Sequence, residues 1–234
     1  TSTSTSTSPP SSNSTSSSHV FEVLRLNQNL YNEKNTFFDG IKAQIKNCKS
    51  NSVSASEKST MGNLAEVCVG RHPGKPFPEI HGAGNSFHLP GVFSANAASK
   101  TLDVDIVAMV DGEIVLAIAC SPYWTHDRIW YSVTYPGSKQ EVPVSWKGTN
   151  DEYAEHRGKA IVENDRRRRM YFIDNNIPYL ELRGSMTKAE QKKNINELLS
   201  SEAPLCRVYD SNNLIMEIQA DSSIAPSAPP PPNQ

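Results

Sequence analysis

Two acidic residues interrupt an apolar stretch near the middle of the chain. The segment LDVDIVAMV contains Asp103 and Asp105, and EIVLAIAC follows it after Asp111 and Gly112, a pair typical of a tight hairpin turn. Burying an unpaired carboxylate is costly, so an acid that enters such a strand indicates a function. Carboxylate oxygens are ligands that Mg²⁺ prefers. Asp105, together with Asp103, is therefore a candidate metal ligand; the alternative is that both acids are exposed charges at a strand edge.

The segments around these acids predict the elements that position them. Both halves of the hairpin are rich in β-branched and apolar residues, which favours central strands. A helix containing Glu66 is expected before them, beginning at Ser59 or Thr60 after the polar loop NSVSASEKS. Between this helix and the first strand, the Pro and Gly residues from RHPGKPF to HLPG predict an extended, loop-rich passage.

Helices and strands alternate in the second half of the chain. NDEYAEHRGKAIVENDRRRRMYFIDNN is helix-like and starts near Asn150 or Asp151, and IPYLELRG follows as a short strand. MTKAEQKKNINELLSS is a final helix capped by Ser185 or Thr187, and APLCRVYD with NLIMEIQA is expected to form a last hairpin. This order predicts an α/β fold with a mixed central sheet flanked by helices.

Composition divides the chain into one domain and its flanks. The 234 residues suffice for one sizeable domain. Residues 1–18, rich in Ser and Thr, and residues 219–234, rich in Pro, are expected to be disordered, because they cannot bury enough apolar surface to offset the entropy of ordering. Residues 19–58 are predicted as helical structure, interrupted around Asn27 to Asn35, with a loop. The α/β domain is assigned to residues 59–218.

The arrangement from about Ser59 to Leu199 resembles the PD-(D/E)XK nuclease superfamily. The resemblance includes the helix with Glu66, the acidic first strand, and VENDRRRRMYFIDNNIPYLEL, which is similar to a segment of restriction-endonuclease-like and very-short-patch-repair-like proteins. It implies a restriction-endonuclease-like core and a phosphodiester hydrolase that uses Mg²⁺ or Mn²⁺. In that family an acid on the first strand and an acid-x-lysine motif on the second hold the metal, which neutralises the scissile phosphate and lowers the pKa of bound water.

The second strand departs from the family pattern. Asp105 matches the first-strand acid, but Ala119 and Ser121 occupy the places of the second acid and the lysine. The sequence therefore predicts a vacancy beside Asp105 and an inactive site. Three accounts stay open: natural loss of catalysis, engineered inactivation, or a migrated site. In the migrated site the acid comes from Glu113 or Glu66, and the cation is Lys159 or an arginine of the basic helix.

Clusters of charged residues, more than the net charge of the chain, indicate which partner it binds. A net charge of -2 gives no overall nucleic-acid signature. The basic helix nevertheless contains candidates for contacts with the phosphates of DNA or RNA: Arg157, Lys159, Arg166, Arg168 and Arg169. The alternative is that these cations pair on the helix surface with Glu155, Glu163 and Asp165.

Aromatic and histidine residues suggest further contacts. Five aromatic side chains follow the second strand: Tyr123, Trp124, Trp130, Tyr131 and Tyr135. In a nucleic-acid-binding protein they are expected to stack on bases. The alternative is a pseudo-nuclease module that binds no nucleic acid, in which they dock a protein partner. The histidines of the loop-rich passage are weaker candidates for metal ligands: His72, His81 and His88.

Several protein classes are disfavoured. No stretch approaches the ~20 apolar residues needed to cross a bilayer, so no membrane contact is expected. Four cysteines without C-x-x-C spacing predict reduced thiols and an intracellular protein, cytoplasmic or nuclear. The sequence contains no Gly-rich phosphate loop, no G-x-S-x-G elbow and no H-E-x-x-H helix.

Overall fold

A computed structural model of the protein describes residues 15–48, 54–71, 76–95, 97–121, 151–200 and 204–219. Within these ranges the helices are α1 (Thr15–Asn47), α2 (Ala55–Arg71), α3 (Asp151–Asp174) and α4 (Lys188–Leu198). The strands are β1 (Glu79–His81), β2 (Phe87–Ser94), β3 (Ala97–Val104), β4 (Ile106–Val110), β5 (Glu113–Ser121), β6 (Tyr179–Arg183), β7 (Pro204–Asp210) and β8 (Asn213–Gln219). No helix in these ranges is long and apolar enough to cross a membrane.

The first unit, up to Gly40, contains most of α1, and the second begins at Ile41. Helix α1 runs without a break through residues 27–35, where an interruption was expected, and it begins at Thr15, inside the segment 1–18 that was expected to be disordered. Side chains of the polar stretch bond to one another and to the backbone along the helix. Gln28 Nε2 donates to Asn32 Oδ1 at 3.1 Å, and Thr36 Oγ1 donates to the Asn32 carbonyl at 2.9 Å.

A six-stranded mixed sheet forms the second unit, in the order β1-β4-β5-β6-β7-β8. Strands β5, β6 and β7 run parallel to one another, whereas β4 pairs antiparallel with β5 and β8 antiparallel with β7. The parallel pairs are joined through α3 and α4, as crossover connections require. These features confirm the predicted α/β fold with a mixed sheet flanked by helices.

The segment LDVDIVAMV forms two strands, although one strand was expected. Strand β3 ends at Val104 and pairs with β2 in a separate two-stranded ribbon, while β4 begins at Ile106 and pairs with β5. Asp105 lies at the bend between them. The passage before these strands was expected to be loop-rich, but it contains β1 and β2, and a register shift between His88 and Phe93 accommodates the Pro-Gly pair within β2.

The predicted hairpin is present, and its register places the candidate residues. Asp111 and Gly112 have positive φ angles of 53° and 83°, the conformation that a tight turn between antiparallel strands requires. Ile106 pairs with Ile118 across the hairpin. Asp105 comes just before Ile106, and Ala119 comes just after Ile118. Because the strands are antiparallel, Asp105 and Ala119 lie at the same level.

The two faces of the sheet pack against different helices. Ala119 belongs to an apolar cluster that includes Phe172 of α3 and Tyr179 of β6. Cys120 is the next residue on the strand, so its side chain points to the opposite face. There it forms a side-chain hydrogen bond with Thr60 of α2. The sheet is thus covered by α3 on one face and by α2, with α4 beside it, on the other.

Candidate active site

Asp105 is held against the strand that follows it in the chain. Its carboxylate oxygen Oδ2 accepts a hydrogen bond from the backbone N–H of Cys120 at 2.6 Å. Because the backbone bends at Asp105, this side chain takes a position that a strand carbonyl would otherwise occupy. The bond fixes one oxygen of the carboxylate at the level of residues 119 and 120, where the resemblance predicts the metal site.

A second acid, Glu57, approaches Asp105 from α2. Helix α2 begins at Ala55, and the Glu57 N–H donates to the Ser54 hydroxyl at 3.0 Å, so Ser54 is the capping side chain. The cap was expected at Ser59 or Thr60, and Glu57 was assigned to the loop NSVSASEKS. The helix starts one turn earlier than predicted, and the extra turn brings Glu57 to the sheet, where only 7% of the residue is exposed.

The loop between β1 and β2 closes the site over these two acids. Ala83 and Gly84 have φ angles of 53° and 91°, and their backbone N–H groups donate to the Glu57 carboxylate. A side chain at Gly82 would lie 3.3 Å from the Asp105 carbonyl oxygen and 3.2 Å from the Met61 sulfur, closer than most real contacts. A side chain at residue 82 would therefore require these neighbours to shift by a few tenths of an ångström.

Burial and charge alter the protonation of Glu57. Removal from water, followed by the negative charge of Asp105, raises its pKa from the ordinary 4.5 to about 7. The hydrogen bonds from Gly84 and Ala83 act in the opposite direction and are weaker. Near neutral pH the two acids therefore share less than two negative charges, which weakens any attraction for a divalent cation.

A buried polar network positions the α2 side of the site. Gln191 of α4 donates to the Thr60 hydroxyl at 2.8 Å and accepts from the Asn63 amide. Thr60 in turn donates to the Ser56 carbonyl at 2.8 Å and bonds with the Cys120 thiol. Burial raises the pKa of this thiol well above its usual value, so Cys120 stays protonated and inert.

Ala119, which occupies the place of the second acid, is buried. Only 3% of Ala119 is exposed, and its methyl group packs in the apolar cluster with Phe172 and Tyr179. Its neighbour on the next strand is Glu181, so an acid introduced at 119 would face another buried carboxylate. The place of the second acid is thus taken by a buried methyl group, which offers no ligand to a metal ion. The backbone of Ser121 lies in β5 opposite Arg183, and its side chain falls outside the described part.

Two of the four arginines in the run of α3, Arg168 and Arg169, point into the protein. Arg169 Nη1 donates to Glu181 Oε2 at 2.7 Å, and Arg183 also binds that carboxylate. Arg168 Nη1 donates to Asp165 Oδ1 at 2.8 Å, and its Nε donates to the Asp103 carbonyl at 2.6 Å. Arg168 and Arg169 were predicted from the sequence to contact nucleic-acid phosphates. In the structure both donate hydrogen bonds to oxygens of the protein itself: Arg168 to Asp165 and the Asp103 carbonyl, and Arg169 to Glu181.

The outer arginines of the run pair with one acid. Arg166 and Arg167 both donate to Glu163, at 2.8 and 2.9 Å, and these two bonds lower the pKa of that carboxyl to about 2. Arg166 is 57% exposed and remains accessible to a ligand. The backbones of Arg157 and Lys159 lie in α3, and their side chains are outside the described part.

The acids proposed as substitutes lie away from Asp105. Glu66 lies nine residues after Glu57, roughly 13 Å further along the helix axis. It binds Lys188 of α4 at 2.8 Å and also Lys192, so it links two helices at the surface. Glu113 is exposed beside the hairpin turn, six residues or roughly 20 Å from Ala119. Neither residue is brought to the site, and Glu57 takes the place proposed for Glu66.

The other candidate ligands have separate positions. His81 contacts Glu79 at 3.0 Å, and His88 is exposed on β2. His72 and the whole aromatic cluster, including Trp124, lie outside the described residues. Among the residues that are described, no group of three His, Cys, Asp or Glu side chains is placed to hold a metal ion. Asp103 is on the ribbon beside Arg168, its Oδ1 being 3.8 Å from Nη2.

Comparison with known proteins identifies no relative of this chain. No protein-family model, curated protein or solved structure matches the chain. The family resemblance therefore stays a prediction, based on this chain's own residues and on their geometry.

Proposed function

We propose that this chain is a nucleic-acid-binding domain of the nuclease type whose metal site is incomplete, so that it binds DNA or RNA without cleaving it. The observation that supports this proposal is that Asp105, bound to the Cys120 N–H of β5, exerts its negative charge on the buried Glu57 of α2 and raises the pKa of that carboxyl. An acid of α2 and the acid at the bend before β4 thus interact electrostatically, as acids that hold a metal in a phosphodiesterase would.

The residues present explain why binding would occur without cleavage. Mg²⁺ needs near-ideal octahedral coordination and is held by carboxylates that are ionised. Here the second-strand position is a buried methyl group, and Glu57 keeps its proton until the pH approaches its raised pKa of about 7. Ser121, which occupies the place of the lysine, carries no positive charge to orient an attacking water.

Arg166 is the residue we propose for phosphate contact. Its side chain is the most exposed of the four arginines, and Glu163 holds it in a defined orientation. A guanidinium can donate two parallel hydrogen bonds to a phosphate. The alternative, a protein-docking module, depends on aromatic residues outside the described part and stays a prediction.

A binding assay tests this proposal. Fluorescence anisotropy with single- and double-stranded DNA and RNA at about 50 mM salt is expected to show binding that weakens as salt increases. Arg166→Ala is expected to reduce the slope of log affinity against log salt by about 1. Lys193→Ala is the matched control, because Lys193 is 62% exposed and pairs with Glu190 three residues earlier, as Arg166 pairs with Glu163. Absence of binding at low salt, or cleavage on addition of Mg²⁺, would overturn the proposal.

A further inference from the structure

An exposed phenylalanine lies beside the outer arginines of α3. The carbonyl of Phe93, near the end of β2, accepts a hydrogen bond from Arg167 Nη1 at 2.8 Å. Arg166 and Arg167 in turn share the Glu163 carboxylate, at 2.8 and 2.9 Å. Phe93 is 45% exposed, although it is a large apolar residue. An accessible aromatic residue is thus joined by measured contacts to the arginine proposed for phosphate contact.

The backbone around Phe93 is held in place by α3. Asn164 Oδ1 accepts from the Ala95 N–H at 2.7 Å, and Asn164 Nδ2 donates to the Ser94 hydroxyl at 3.2 Å. The register of the β2–β3 ribbon shifts on both sides of Phe93, and such irregularities re-aim a side chain. Phe93 is therefore presented from a fixed backbone, as a binding residue requires.

A second exposed apolar residue adjoins the same arginines. Met170 follows Arg167 by three residues and Arg166 by four, so it neighbours both on the helix surface. Met170 is also exposed. Single exposed apolar residues are ordinary on a protein, but here two of them adjoin two guanidinium groups. We call Phe93, Arg166, Arg167 and Met170 the ribbon surface.

The charged groups of the ribbon surface leave one positive charge for a ligand. The bonds from Arg166 and Arg167 lower the pKa of Glu163 to about 2, so this carboxylate is ionised at neutral pH. It offsets only one of the two guanidinium charges. The remaining charge suits a phosphate, whereas the Phe93 ring offers no hydrogen bond and suits the flat face of a base.

We propose that the ribbon surface binds an unpaired nucleotide of a nucleic-acid strand, with the base stacked on Phe93 and the phosphate beside Arg166 and Arg167. Proteins that bind single strands combine a stacking aromatic residue with cations along the backbone in this way. A duplex offers the same phosphates, but its bases already stack on one another. The inference rests on the proposed function and narrows its ligand to unpaired DNA or RNA.

Binding of matched probes tests the role of Phe93. The probes are a single strand, a duplex of the same sequence, and an abasic strand that keeps the phosphates without the bases. Each is used as DNA and as RNA, which distinguishes the two sources of an unpaired base. In fluorescence anisotropy, Phe93→Ala is expected to weaken single-strand binding by about 5- to 100-fold and to leave duplex and abasic binding unchanged.

Matched variants separate stacking from a general loss of apolar surface. Phe93→Trp keeps a stacking ring and should retain single-strand affinity, whereas Phe93→Leu should lose affinity as Phe93→Ala does. Leu214→Ala is the control, because Leu214 on β8 is 47% exposed, much as Phe93 is, and it should bind like wild type. Wild-type single-strand affinity in Phe93→Ala, or an equal loss for all probes, would overturn the inference.

Photochemical cross-linking of the wild-type protein covers the case in which Phe93→Ala does not fold. An iodouracil-substituted single strand is expected to cross-link to the peptide that contains Phe93, and cross-links that map only to other peptides would overturn the inference. A dimer in light scattering that Phe93→Ala dissociates would also overturn it, because the surface would then bind a second copy.

Failure of the inference can be distinguished from failure of the proposed function. Absence of binding to every probe would overturn both. Salt-dependent binding that is weakened by Arg166→Ala but unaffected by Phe93→Ala would overturn the inference alone.

Discussion

The two faces of the central sheet handle buried acids in different ways. On the face covered by α3, Glu181 lies between Arg169 and Arg183 and is bound by both. On the face covered by α2, Glu57 receives hydrogen bonds from backbone N–H groups and lies near another acid, Asp105. A neighbouring cation lowers the cost of burying a carboxylate, whereas burial beside another acid raises that cost. The first face is therefore built for stability, and the second has the protonation expected of a functional site.

The largest expected effect concerns the α3 face. Glu181→Leu removes the shared partner of two buried arginines, and we expect it to lower the free energy of unfolding by about 3–5 kcal/mol. Chemical denaturation measures this change. Glu163→Leu is the control, because Glu163 also binds two arginines but near the surface, and it should cost at most about 1 kcal/mol. Equal costs for the two variants would contradict the contrast between buried and surface pairs.

The next effect concerns the α2 face and depends on pH. Because the pKa of Glu57 rises from 4.5 to about 7 on folding, the folded chain holds this proton more tightly than the unfolded chain. Its stabilising contribution is complete below pH 4.5 and is lost as the pH rises toward 7. We expect the wild-type protein to lose on the order of 2 kcal/mol across this window relative to Glu57→Gln.

Denaturation at a series of pH values measures the effect of Glu57. Glu66→Gln is the matched control in the same helix, because the Glu66 carboxylate is bound by two lysines, which lower its pKa. This control should follow the wild-type pH profile between pH 4.5 and 7. If Glu57→Gln shows the same pH dependence as wild type, Glu57 is not the group that titrates.

The smallest expected effect concerns the Tyr179 hydroxyl on the α3 face of the sheet. The Tyr179 hydroxyl is buried and has no hydrogen-bond partner among the described residues. Tyr179→Phe should therefore leave the free energy of unfolding unchanged or raise it by up to about 1 kcal/mol. Tyr209→Phe is the control, because the Tyr209 hydroxyl donates to Asn194 at 2.7 Å, and it should cost about 1 kcal/mol. A larger cost for Tyr179→Phe than for Tyr209→Phe would show that the hydroxyl is satisfied.

The sequence predicted the regular parts of the sheet because local signals determine them. The Asp111-Gly112 turn, the strand after α3, and the Thr187 cap of α4 each depend on residues within a few positions of one another. The cap is present as expected, with the Thr187 hydroxyl accepting from the Glu190 N–H at 3.3 Å.

Features that depend on distant contacts were missed. Glu57 lies in a polar stretch whose helical state is stabilised by packing of the following turns, Met61 and Leu64, which are fully buried. The available signal was Ser54 followed three residues later by Glu57, the spacing of a capping box. Likewise, four consecutive arginines in the sequence are typical of a solvent-exposed helix surface. The buried ion pair between Arg169 and Glu181 depends on packing of α3 against β6, which only the tertiary structure shows.

The most direct test of the account is an NMR titration of the Glu57 side-chain carboxyl in wild type and in Asp105→Asn. The account predicts a pKa near 7 in wild type that falls when Asp105 loses its charge, yet stays above 4.5 because burial, the larger cause, is retained. A wild-type pKa near 4.5, or a raised value that Asp105→Asn leaves unchanged, would contradict the claim that these two acids form one site.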